Sequence, residues 1–368
     1  MKVSLLQTHL MTALTKTTRV ISSKSQLPIL QNILMETREE LLYIVGTNTE
    51  TTVVTKTNAK IEKSGGVCVP AKLFMEFVST LPEAQVDCVY KDGSLLVNCG
   101  GYEATIPCVA KEEFPPIPET KKGKEISIPK ATLLSSLESV LFSAATDEGR
   151  PVLTGIKIKK TNEGVLMVAT DGYRLSLKRV AVSLGEETDV IIPARALFEV
   201  VRVGQEEKKD DAVLFKKIDE SQLGFFIGNT EVYTRIIDGE YPNFEKILPK
   251  NHTTKAVIHK GVFEKATKSV ALFARDNANI IKIHIEEGKL AISANTPQVG
   301  QNTVEIETET EGEGGEIAFN SRFVLDFLSH FNEEKVTFEM TGSLNPGVFK
   351  SIKDEDFLHI IMPVRTAT

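Results

Sequence analysis

Two hydrophobic periods alternate along the chain. In some segments apolar residues recur at intervals of three and four, which is typical of helices, and in others at every second position, which is typical of strands. The clearest alternating runs are residues 126–128, 281–285 and 303–307. The spacing predicts long amphipathic helices over about residues 7–22, 130–146 and 260–275. Helices and strands therefore follow one another in every part of the sequence.

A short helical motif occurs three times. Each copy opens with a proline in the first turn or with an asparagine cap, and an apolar stripe at three- and four-residue intervals follows. Pro70 and Pro193 are 123 positions apart, and Asn320 follows after a further 127. Each copy has one basic residue in its first turn, where a cation opposes the helix dipole. We interpret three cations at this unfavourable position as a sign of an outside partner. The copies cover residues 69–78, 192–201 and 319–328.

A second motif repeats with nearly the same period. Residues 42–48, 166–172 and 290–296 are β-rich runs that close in turn-forming residues, and their starts are 124 positions apart both times. Solenoid repeats have periods of about 20–50 residues, so this unit has the size of a whole domain. Each unit runs helix, strands, helix, strands. The sequence therefore predicts three α+β domains of one architecture, at residues 1–119, 126–249 and 253–368.

The composition is that of an ordinary globular protein. Of 368 residues, 41% are hydrophobic and 25% are charged, which argues against collagen, a coiled-coil rod and a disordered chain. No apolar stretch approaches the ~18 residues of a membrane span, and the N-terminus shows no secretory segment. Four cysteines are too few for a disulfide scaffold in a chain of this length. We therefore expect a cytoplasmic protein.

Positive charge is concentrated in the predicted helices. The chain has 43 basic and 50 acidic residues, and its net charge of −7 by itself argues against a nucleic-acid partner. The six predicted helices nevertheless contain twelve basic and five acidic residues, which leaves −14 for the rest. Solvated helix faces would explain this on charge alone. Together with the threefold repeat, we interpret the helices as one basic face that attracts DNA phosphates without sequence readout. The six predicted helices are residues 7–24, 70–82, 129–146, 193–204, 259–275 and 320–331.

The local motifs and their order resemble those of the bacterial DNA polymerase III β subunits, the sliding clamps. The resemblance covers essentially the whole chain, including its length and its threefold repeat. Single motifs are weakly specific, but their order and spacing make the match strong. The most specific stretches are LPILQN at 27–32, VPAK at 69–72, ATDGYRL at 169–175, DGEYP at 238–242 and MPVR at 362–365.

The resemblance implies an α+β DNA clamp fold of three repeated domains, each with two helices and antiparallel sheets. In this family two such chains join head to tail as a homodimer, and the six-domain ring encircles duplex DNA. The implied function is processivity in DNA replication, as a non-catalytic subunit of a nucleotidyltransferase holoenzyme. The implied partners are the polymerase III α subunit, an ATP-driven clamp loader, and other polymerases and repair proteins that bind through short linear peptides. No cofactor, metal or membrane contact is implied.

The resemblance also assigns DNA contacts and a dimer joint. The DNA-contact residues of the family map onto Lys24, Lys72 and Arg150, although the loop around Arg150 has two acids and lacks an aromatic pair found in family members. The joint between protomers is expected at two apolar residues of the third domain and a facing strand of the first. These positions are Leu272, Phe273 and the neighbourhood of Ala104.

A peptide-binding pocket is implied between the second and third domains. It would receive motifs of roughly Q-L-x-L-F, because an apolar cleft with a flexible methionine and a few polar anchors suits peptide side chains. The tail Thr366-Ala367-Thr368 extends past Arg365, near which family members end. The matching residues are Leu153, Thr170, Gly172, Tyr173, Arg174, Leu175, Pro242, Lys246, Ile247, Pro346, Ile360, Met362, Pro363, Val364 and Arg365.

Two other functions stay open from the residues alone. Asp171 could belong to an enzyme whose Arg174 steers an anionic substrate, although the corresponding residues Asn48 and Thr296 favour a role in turns. A peptide-binding scaffold without any DNA role is the second alternative. The cysteines lie in β-like runs of the first domain, where burial explains them better than metal binding. They are Cys68, Cys88, Cys99 and Cys108.

Overall fold

The structure is a computed structural model that describes residues 1–22, 25, 27–118, 125–182 and 188–365. Lys24 and the tail Thr366-Ala367-Thr368 lie outside the described residues. The chain forms two compact units. One contains Met1–Leu134 and Arg195–Ile236, and the other contains Ser135–Ala194 and Ile237–Thr368. Segments of the predicted central domain, 126–249, therefore belong to both units.

The first unit contains two antiparallel sheets. The smaller sheet consists of β1 (Lys2–Leu6), β5 (Lys60–Lys63), β7 (Gln85–Lys91), β8 (Ser94–Cys99) and β9 (Tyr102–Pro107), in the order β5-β1-β7-β8-β9. The larger consists of β2 (Asn32–Arg38), β3 (Leu41–Thr47), β4 (Thr51–Asn58), β6 (Gly66–Pro70), β10 (Val109–Ala110), β11 (Ile126–Pro129), β16 (Ala212–Lys217), β17 (Gln222–Ile227) and β18 (Thr230–Arg235). Its order is β10-β6-β2-β3-β4-β18-β17-β16-β11.

The second unit also contains two antiparallel sheets. The larger consists of β12 (Gly155–Thr161), β13 (Gly164–Thr170), β14 (Arg174–Val180), β15 (Asp189–Pro193), β19 (Thr254–His259), β23 (Glu309–Gly312), β25 (Lys335–Met340), β26 (Gly347–Ser351) and β27 (Phe357–Ile361). Its order is β15-β12-β13-β14-β27-β26-β25-β19-β23. The smaller consists of β20 (Ile280–Glu286), β21 (Lys289–Thr296), β22 (Gly300–Glu307) and β24 (Gly315–Asn320), in the order β22-β21-β20-β24.

Six α-helices occur in the described residues, two for each sequence repeat, as predicted. Two of them are shorter than the predicted ranges of 7–22 and 130–146. Both close with i to i−3 hydrogen bonds, from Ile21 N–H to the Thr18 carbonyl and from Ser143 N–H to the Val140 carbonyl, and this tightening ends the α-helix. None of these helices is long and apolar enough to cross a membrane. They are α1 (Gln7–Thr18), α2 (Ala71–Thr80), α3 (Lys130–Leu141), α4 (Ala194–Glu206), α5 (Lys260–Ala274) and α6 (Ser321–His330).

The observed helix bounds reduce the positive charge assigned to the helices. Arg19 and Arg275 follow the last helical residues, Lys24 lies outside the described residues, and α4 extends to Glu206. The six helices then contain nine basic and six acidic residues, so the expected charge of +7 becomes +3. The cations in the first turns are confirmed. The second residue of α2, α4 and α6 is basic and exposed in each case, namely Lys72, Arg195 and Arg322.

Each unit has a core in which helices pack on sheets. Leu10 and Leu14 of α1 and Phe74 of α2 are fully buried in the first unit. In the second unit Phe327 of α6 packs against Phe349, with ring centroids 5.0 Å apart. The predicted burial of the cysteines is confirmed for three of the four, and Cys108 is half-buried. Burial raises the pKa of the Cys68 and Cys88 thiols to about 12, so they stay protonated at neutral pH.

Each nine-stranded sheet joins two consecutive repeats edge to edge. In the first unit β4 pairs with β18, with Val54 opposite Glu231, and we call this the first joint. In the second unit β14 pairs with β27, with Leu177 opposite Leu358, and we call this the second joint. One main-chain hydrogen bond recurs at the same place in both. Lys56 N–H donates to the Asn229 carbonyl at 2.9 Å, and Arg179 N–H donates to the Asp356 carbonyl at 2.9 Å.

Gly46 is required where β3 passes beneath α1. A Cβ atom at this position would lie 2.1 Å from the carbonyl oxygen of Thr17, a main-chain atom that cannot rotate away. We expect Gly46→Ala to lower the free energy of unfolding by about 3 kcal/mol or more, because helix and strand must separate. Chemical denaturation followed by circular dichroism measures the change. Ala169→Gly, at the equivalent position of the second repeat, is the control and should cost only about 1 kcal/mol. If both substitutions lower the free energy of unfolding by the same amount, the steric explanation for Gly46 is wrong.

Candidate functional site

A tight turn between β13 and β14 organises the predicted peptide site. The Thr170 hydroxyl donates to the Arg174 carbonyl at 2.6 Å and accepts from Gly172 N–H at 3.0 Å. Asp171 Oδ1 accepts from the N–H groups of Tyr173 and Arg174, at 2.9 and 3.0 Å. Gly172 has φ +92°, a conformation that favours glycine. The four predicted site residues of this turn are therefore held by one hydrogen-bond network.

The first repeat contains the same turn between β3 and β4. The Thr47 hydroxyl donates to the Thr51 carbonyl at 3.2 Å, as the Thr170 hydroxyl does to the Arg174 carbonyl. Asn48 Oδ1 accepts from the N–H groups of Glu50 and Thr51 at 3.0 and 2.7 Å. The role predicted for Asn48 is confirmed, and Asp171 has the same role in the second repeat. Thr296 differs, because its hydroxyl donates to the Phe273 carbonyl at 2.6 Å. Hydrogen bonds of the turn and of Arg174 occupy both Asp171 oxygens.

Arg174 connects this turn to helix α6. Its side chain is only 9% exposed, and its guanidinium donates from Nε to Asp171 at 3.1 Å and from Nη1 to Asp326 at 2.7 Å. The same group lies over the rings of Phe323 and Phe142, 5.0 and 5.7 Å from their centroids. A cation that is stacked and paired with two carboxylates is strongly fixed in position. Arg174 is therefore a positioning residue that ties β14 to α6.

A buried histidine lies among the aromatic rings near Arg174. His359 of β27 is fully buried, its Nδ1 is 2.8 Å from the Ser176 hydroxyl, and its ring stacks on Phe327 at 4.8 Å. Ser176 in turn lies 2.7 Å from the hydroxyl of Ser143. Burial, and secondarily the charge of Arg174, lowers the pKa of His359 well below its usual value. The imidazole is therefore neutral in the folded protein at physiological pH.

The lowered pKa makes stability depend on pH. The unfolded chain takes up a proton at His359 near pH 6.5 and the folded chain does so only at much lower pH, so stability falls as pH falls below 6.5. We expect a loss of up to about 1.4 kcal/mol per pH unit in this window. Urea denaturation between pH 7.5 and 5 measures it, with His359→Asn as a variant that does not titrate but can bond Ser176. If the free energies of unfolding of wild type and variant differ by a constant amount across this pH range, His359 is not the group that causes the loss of stability.

An apolar patch extends from the turn along the sheet. Leu175, Ile360 and Phe244 belong to one buried cluster, and Leu153 is 2% exposed. Ile247 is 39% exposed and ends a short 3-10 helix, Phe244–Ile247, in which Lys246 is also exposed. The predicted pocket residues therefore divide into buried apolar residues and exposed ones. The exposed ones include Pro242.

The C-terminal segment runs beside the turn. Met362 N–H donates to the Tyr173 carbonyl at 2.8 Å, and Val364 N–H donates to the Ala318 carbonyl at 2.8 Å. The Tyr173 ring is 61% exposed and stacks on Phe323 with centroids 6.2 Å apart. Met362 and Val364 are half-buried. The remaining predicted residues are half-buried Pro346, half-buried Pro363 and exposed Arg365.

Arg150 lies beside the same turn. A Cβ atom built on Gly172 would be 3.2 Å from Arg150 Nη2, so the guanidinium packs against the glycine. The sequence predicted Arg150 as a DNA contact, and that role stays a prediction. The structure adds a position at the border of the predicted peptide site. Any larger residue than glycine at 172 would have to displace this cation.

Four residues that hold the site together were missed in the sequence. They are Phe142, Phe323, Asp326 and His359, which surround or support Arg174. A signal for Asp326 existed, because the sixth residue of α2, α4 and α6 is acidic each time. The two equivalents are Glu76 and Glu199. No comparable pattern marks His359, because its neighbours Phe142, Ser176 and Phe327 come from segments far apart in the sequence.

The first unit contains a cavity at the position equivalent to Arg174. Thr51 occupies the place of Arg174 in the equivalent turn and is too short to reach the acidic residue of the neighbouring helix. Glu199 of α4 is 7% exposed, accepts from Arg202 at 2.9 Å, and its Oε2 has no hydrogen-bond partner among the described residues. Burial raises its pKa. The cavity has about 450 Å³ and is lined by Arg19, Val20, Ile21, Ser22, Asn48, Thr51, Arg195, Phe198, Glu199 and Arg202.

The residues predicted for the dimer joint lie at sheet edges and on a helix. Ala104 is half-buried in β9, the outermost strand of its sheet. Leu272 is 53% exposed near the end of α5, and Phe273 is half-buried beside it. β22 is the outermost strand of the sheet on which α5 packs. Among the described residues, each unit therefore has an unpaired strand edge near a predicted interface residue.

Comparison with known protein families gives matches along nearly the whole chain. The family model for the N-terminal domain of the DNA polymerase III beta subunit matches residues 1–118. The model for the central domain matches residues 127–243, and the model for the C-terminal domain matches residues 245–365. All three domains of one family therefore occur here in their usual order.

Individual relatives agree with the family models. The chain is 30% identical to the beta sliding clamp of Chlamydia pneumoniae over 352 residues, which covers 94% of each chain. It is 26% identical to the beta sliding clamp of Staphylococcus aureus over 378 residues, and both chains are fully covered. Among solved structures, the DNA polymerase sliding clamp from Bacillus subtilis superposes with a TM-score of 0.93, 25% identity and full coverage of both chains.

Proposed function

Because the chain belongs to the family of DNA polymerase III beta subunits, it is a non-catalytic sliding clamp, and we propose that two copies join head to tail into a ring around duplex DNA. The observation that carries this proposal is the repeated joint. Within the chain, β4 pairs with β18 and β14 pairs with β27. The next pair in this series is β22 with β9, and each of these strands has a free edge among the described residues. Pairing between two copies completes the series.

Basic residues at equivalent helix positions support a contact with DNA phosphates. Lys72, Arg195 and Arg322 are exposed at the second residue of α2, α4 and α6. Cations repeated at one helix position bind phosphates without reading bases, which suits a clamp that slides. We also assign DNA contacts to Lys24 and Arg150 on the basis of the family resemblance. DNA in the bacterial cytoplasm would be the ligand.

The turn around Arg174 and the neighbouring apolar patch support binding of short peptides. Exposed Tyr173 and Ile247 offer apolar surfaces against which leucine and phenylalanine side chains can pack. Leu175 and Ile360 belong to the buried apolar cluster of the same sheet. We assign this site to linear motifs of the polymerase III α subunit, the clamp loader and other polymerases and repair proteins. One site per chain would give two per ring, for which these partners compete.

Retention on DNA tests the ring directly. Protein is loaded onto nicked circular DNA by a bacterial clamp loader with ATP and washed in about 0.5 M NaCl, where phosphate contacts are largely screened. We expect the protein to stay on closed circles and to leave after a restriction enzyme linearises them. Elution from uncut circles by salt would contradict the ring and favour simple electrostatic binding. The control is DNA that is linearised in the same way but has a protein bound at each end, and this DNA should retain the clamp.

A further inference from the structure

We infer that the joint between protomers adopts the strand register of the first joint, which places Glu103 of one copy beside Glu305 of the other and makes ring closure sensitive to ionic strength. The partner of this surface is a second copy of the chain, so the inference rests on the proposed ring. The first joint has an ion pair at the equivalent position, between Lys56 and Glu231 at 2.5 Å. The joint between copies would therefore have like charges where the first joint has opposite charges.

The equivalence of β9 and β18 follows from their hairpins. β8 and β9 are joined by two residues, with Cys99 opposite Tyr102, and β17 and β18 are joined by two residues, with Ile227 opposite Thr230. In both hairpins the first loop residue is a glycine at φ +55°. Tyr102 therefore corresponds to Thr230, and the next residue, Glu103, corresponds to Glu231.

The equivalence of β22 and β4 follows in the same way. A two-residue loop precedes both β3 and β21, so Leu41 corresponds to Lys289. Leu41 pairs with Asn58 of β4, and Lys289 pairs with Glu307 of β22. Counting back two residues from each of these partners aligns Lys56 with Glu305.

The register of the first joint can now be transferred. There Glu231 lies opposite Val54, and Lys56 is the next residue along β4 on the same face of the sheet. The transferred register puts Glu103 opposite Thr303 and diagonal to Glu305, within about 7–8 Å. In the second joint the residue equivalent to Lys56 is Arg179, and the ion pair lies elsewhere, between Lys178 of β14 and Asp354 before β27 at 2.6 Å.

Few cations offset the two glutamates. On β21, Lys289 lies 3.9 Å from Glu305 but also pairs with Glu286 at 3.2 Å. On β8, Asn98 donates to Glu103 at 2.9 Å, and the residue opposite Asn98 on β7 is acidic Asp87. Glu307 follows on the same face of β22. The edges that would meet are thus both acidic, and their repulsion opposes the pairing of the strands.

The ring then closes mainly through main-chain pairing and apolar contact. Exposed Tyr102 of β9 and Leu272 of α5, 51% and 53% accessible, are available for such contact. Salt screens the repulsion between glutamates and leaves hydrogen bonds and apolar packing in place. Dimerisation of the wild-type chain should therefore tighten several-fold between about 20 and 300 mM NaCl. Opening is favoured at low ionic strength.

Charge reversal at the two glutamates tests the register. Glu103→Lys and Glu305→Lys each create an opposite pair, and because the ring has two identical joints, each should lower the dimer dissociation constant about tenfold at low salt. The double variant has like charges again and should return close to the wild-type value. Analytical ultracentrifugation at 20 and 300 mM NaCl measures the four proteins. Dimerisation of the single variants should weaken as the salt concentration rises, whereas dimerisation of the wild-type chain should tighten.

Glu112→Lys is the matched control, because it changes net charge equally on the turn after β10, a strand of the other sheet. It should leave the dissociation constant within twofold of wild type. If both single reversals leave the affinity of the dimer unchanged or weaken it, the proposed register is wrong, but the ring itself is not contradicted. A wild-type chain that stays monomeric at every salt concentration would instead overturn the proposed ring.

Discussion

Arg174→Ala combined with Met362→Ala is expected to weaken binding of a Q-L-x-L-F peptide about a hundredfold. Removal of the guanidinium leaves Asp171 and Asp326 without their shared cation, so the turn loses its attachment to α6. Hydrogen bonds to charged groups contribute about 1.5–3 kcal/mol each, and a hundredfold change corresponds to about 2.7 kcal/mol. Loss of the methionine also removes an adaptable contact surface for the peptide.

Fluorescence anisotropy with a labelled peptide measures this affinity. Arg179→Ala is the control, because Arg179 is an exposed arginine of the same strand, and it should bind within about twofold of wild type. Circular dichroism and sedimentation verify that the double variant is folded and still dimerises. An unaltered peptide titration for a folded double variant would show that the peptide binds elsewhere.

Thr105→Pro is expected to weaken dimerisation by more than a hundredfold while each chain stays folded. Cys108 N–H donates towards β8, to the Gly93 carbonyl at 2.9 Å. Because N–H groups alternate along a strand, that of Thr105 points away from β8 to the free edge. A proline there deletes a donor needed at both joints of the ring and adds a ring of atoms against the incoming strand.

Size-exclusion chromatography coupled to light scattering measures the change. Thr105→Val retains the N–H and should dimerise like wild type, which separates the main-chain effect from the loss of a hydroxyl. A proline variant that elutes as a dimer would show that β9 is not the pairing edge. Loss of the native circular dichroism spectrum would show that the N–H lies inside the sheet, and this would also contradict the assignment.

The candidate site was only partly predictable. The turn from Thr170 to Arg174 follows from local chemistry, since threonine, aspartate and glycine at these positions satisfy the hydrogen bonds of the turn by themselves. The partners of Arg174 cannot be predicted in this way, because Phe142, which follows α3, and Asp326 of α6 are 32 and 152 positions away from it. The charge estimate for the helices was too high for a related reason. Hydrophobic spacing does not show where the last turn tightens and the helix ends.

The repeat, the order of helices and strands, and the basic residue at the start of three helices can be predicted from the residues alone, because periodicity and turn chemistry act over a few residues. Which strand edges are paired and which are free, among the described residues, depends on how the whole chain folds. Pairing between repeats joins residues as far apart as Arg174 and Ile361, and such pairing depends on the register and side-chain contacts of whole sheets. The neutral state of His359 has the same origin, since burial by distant segments sets its pKa.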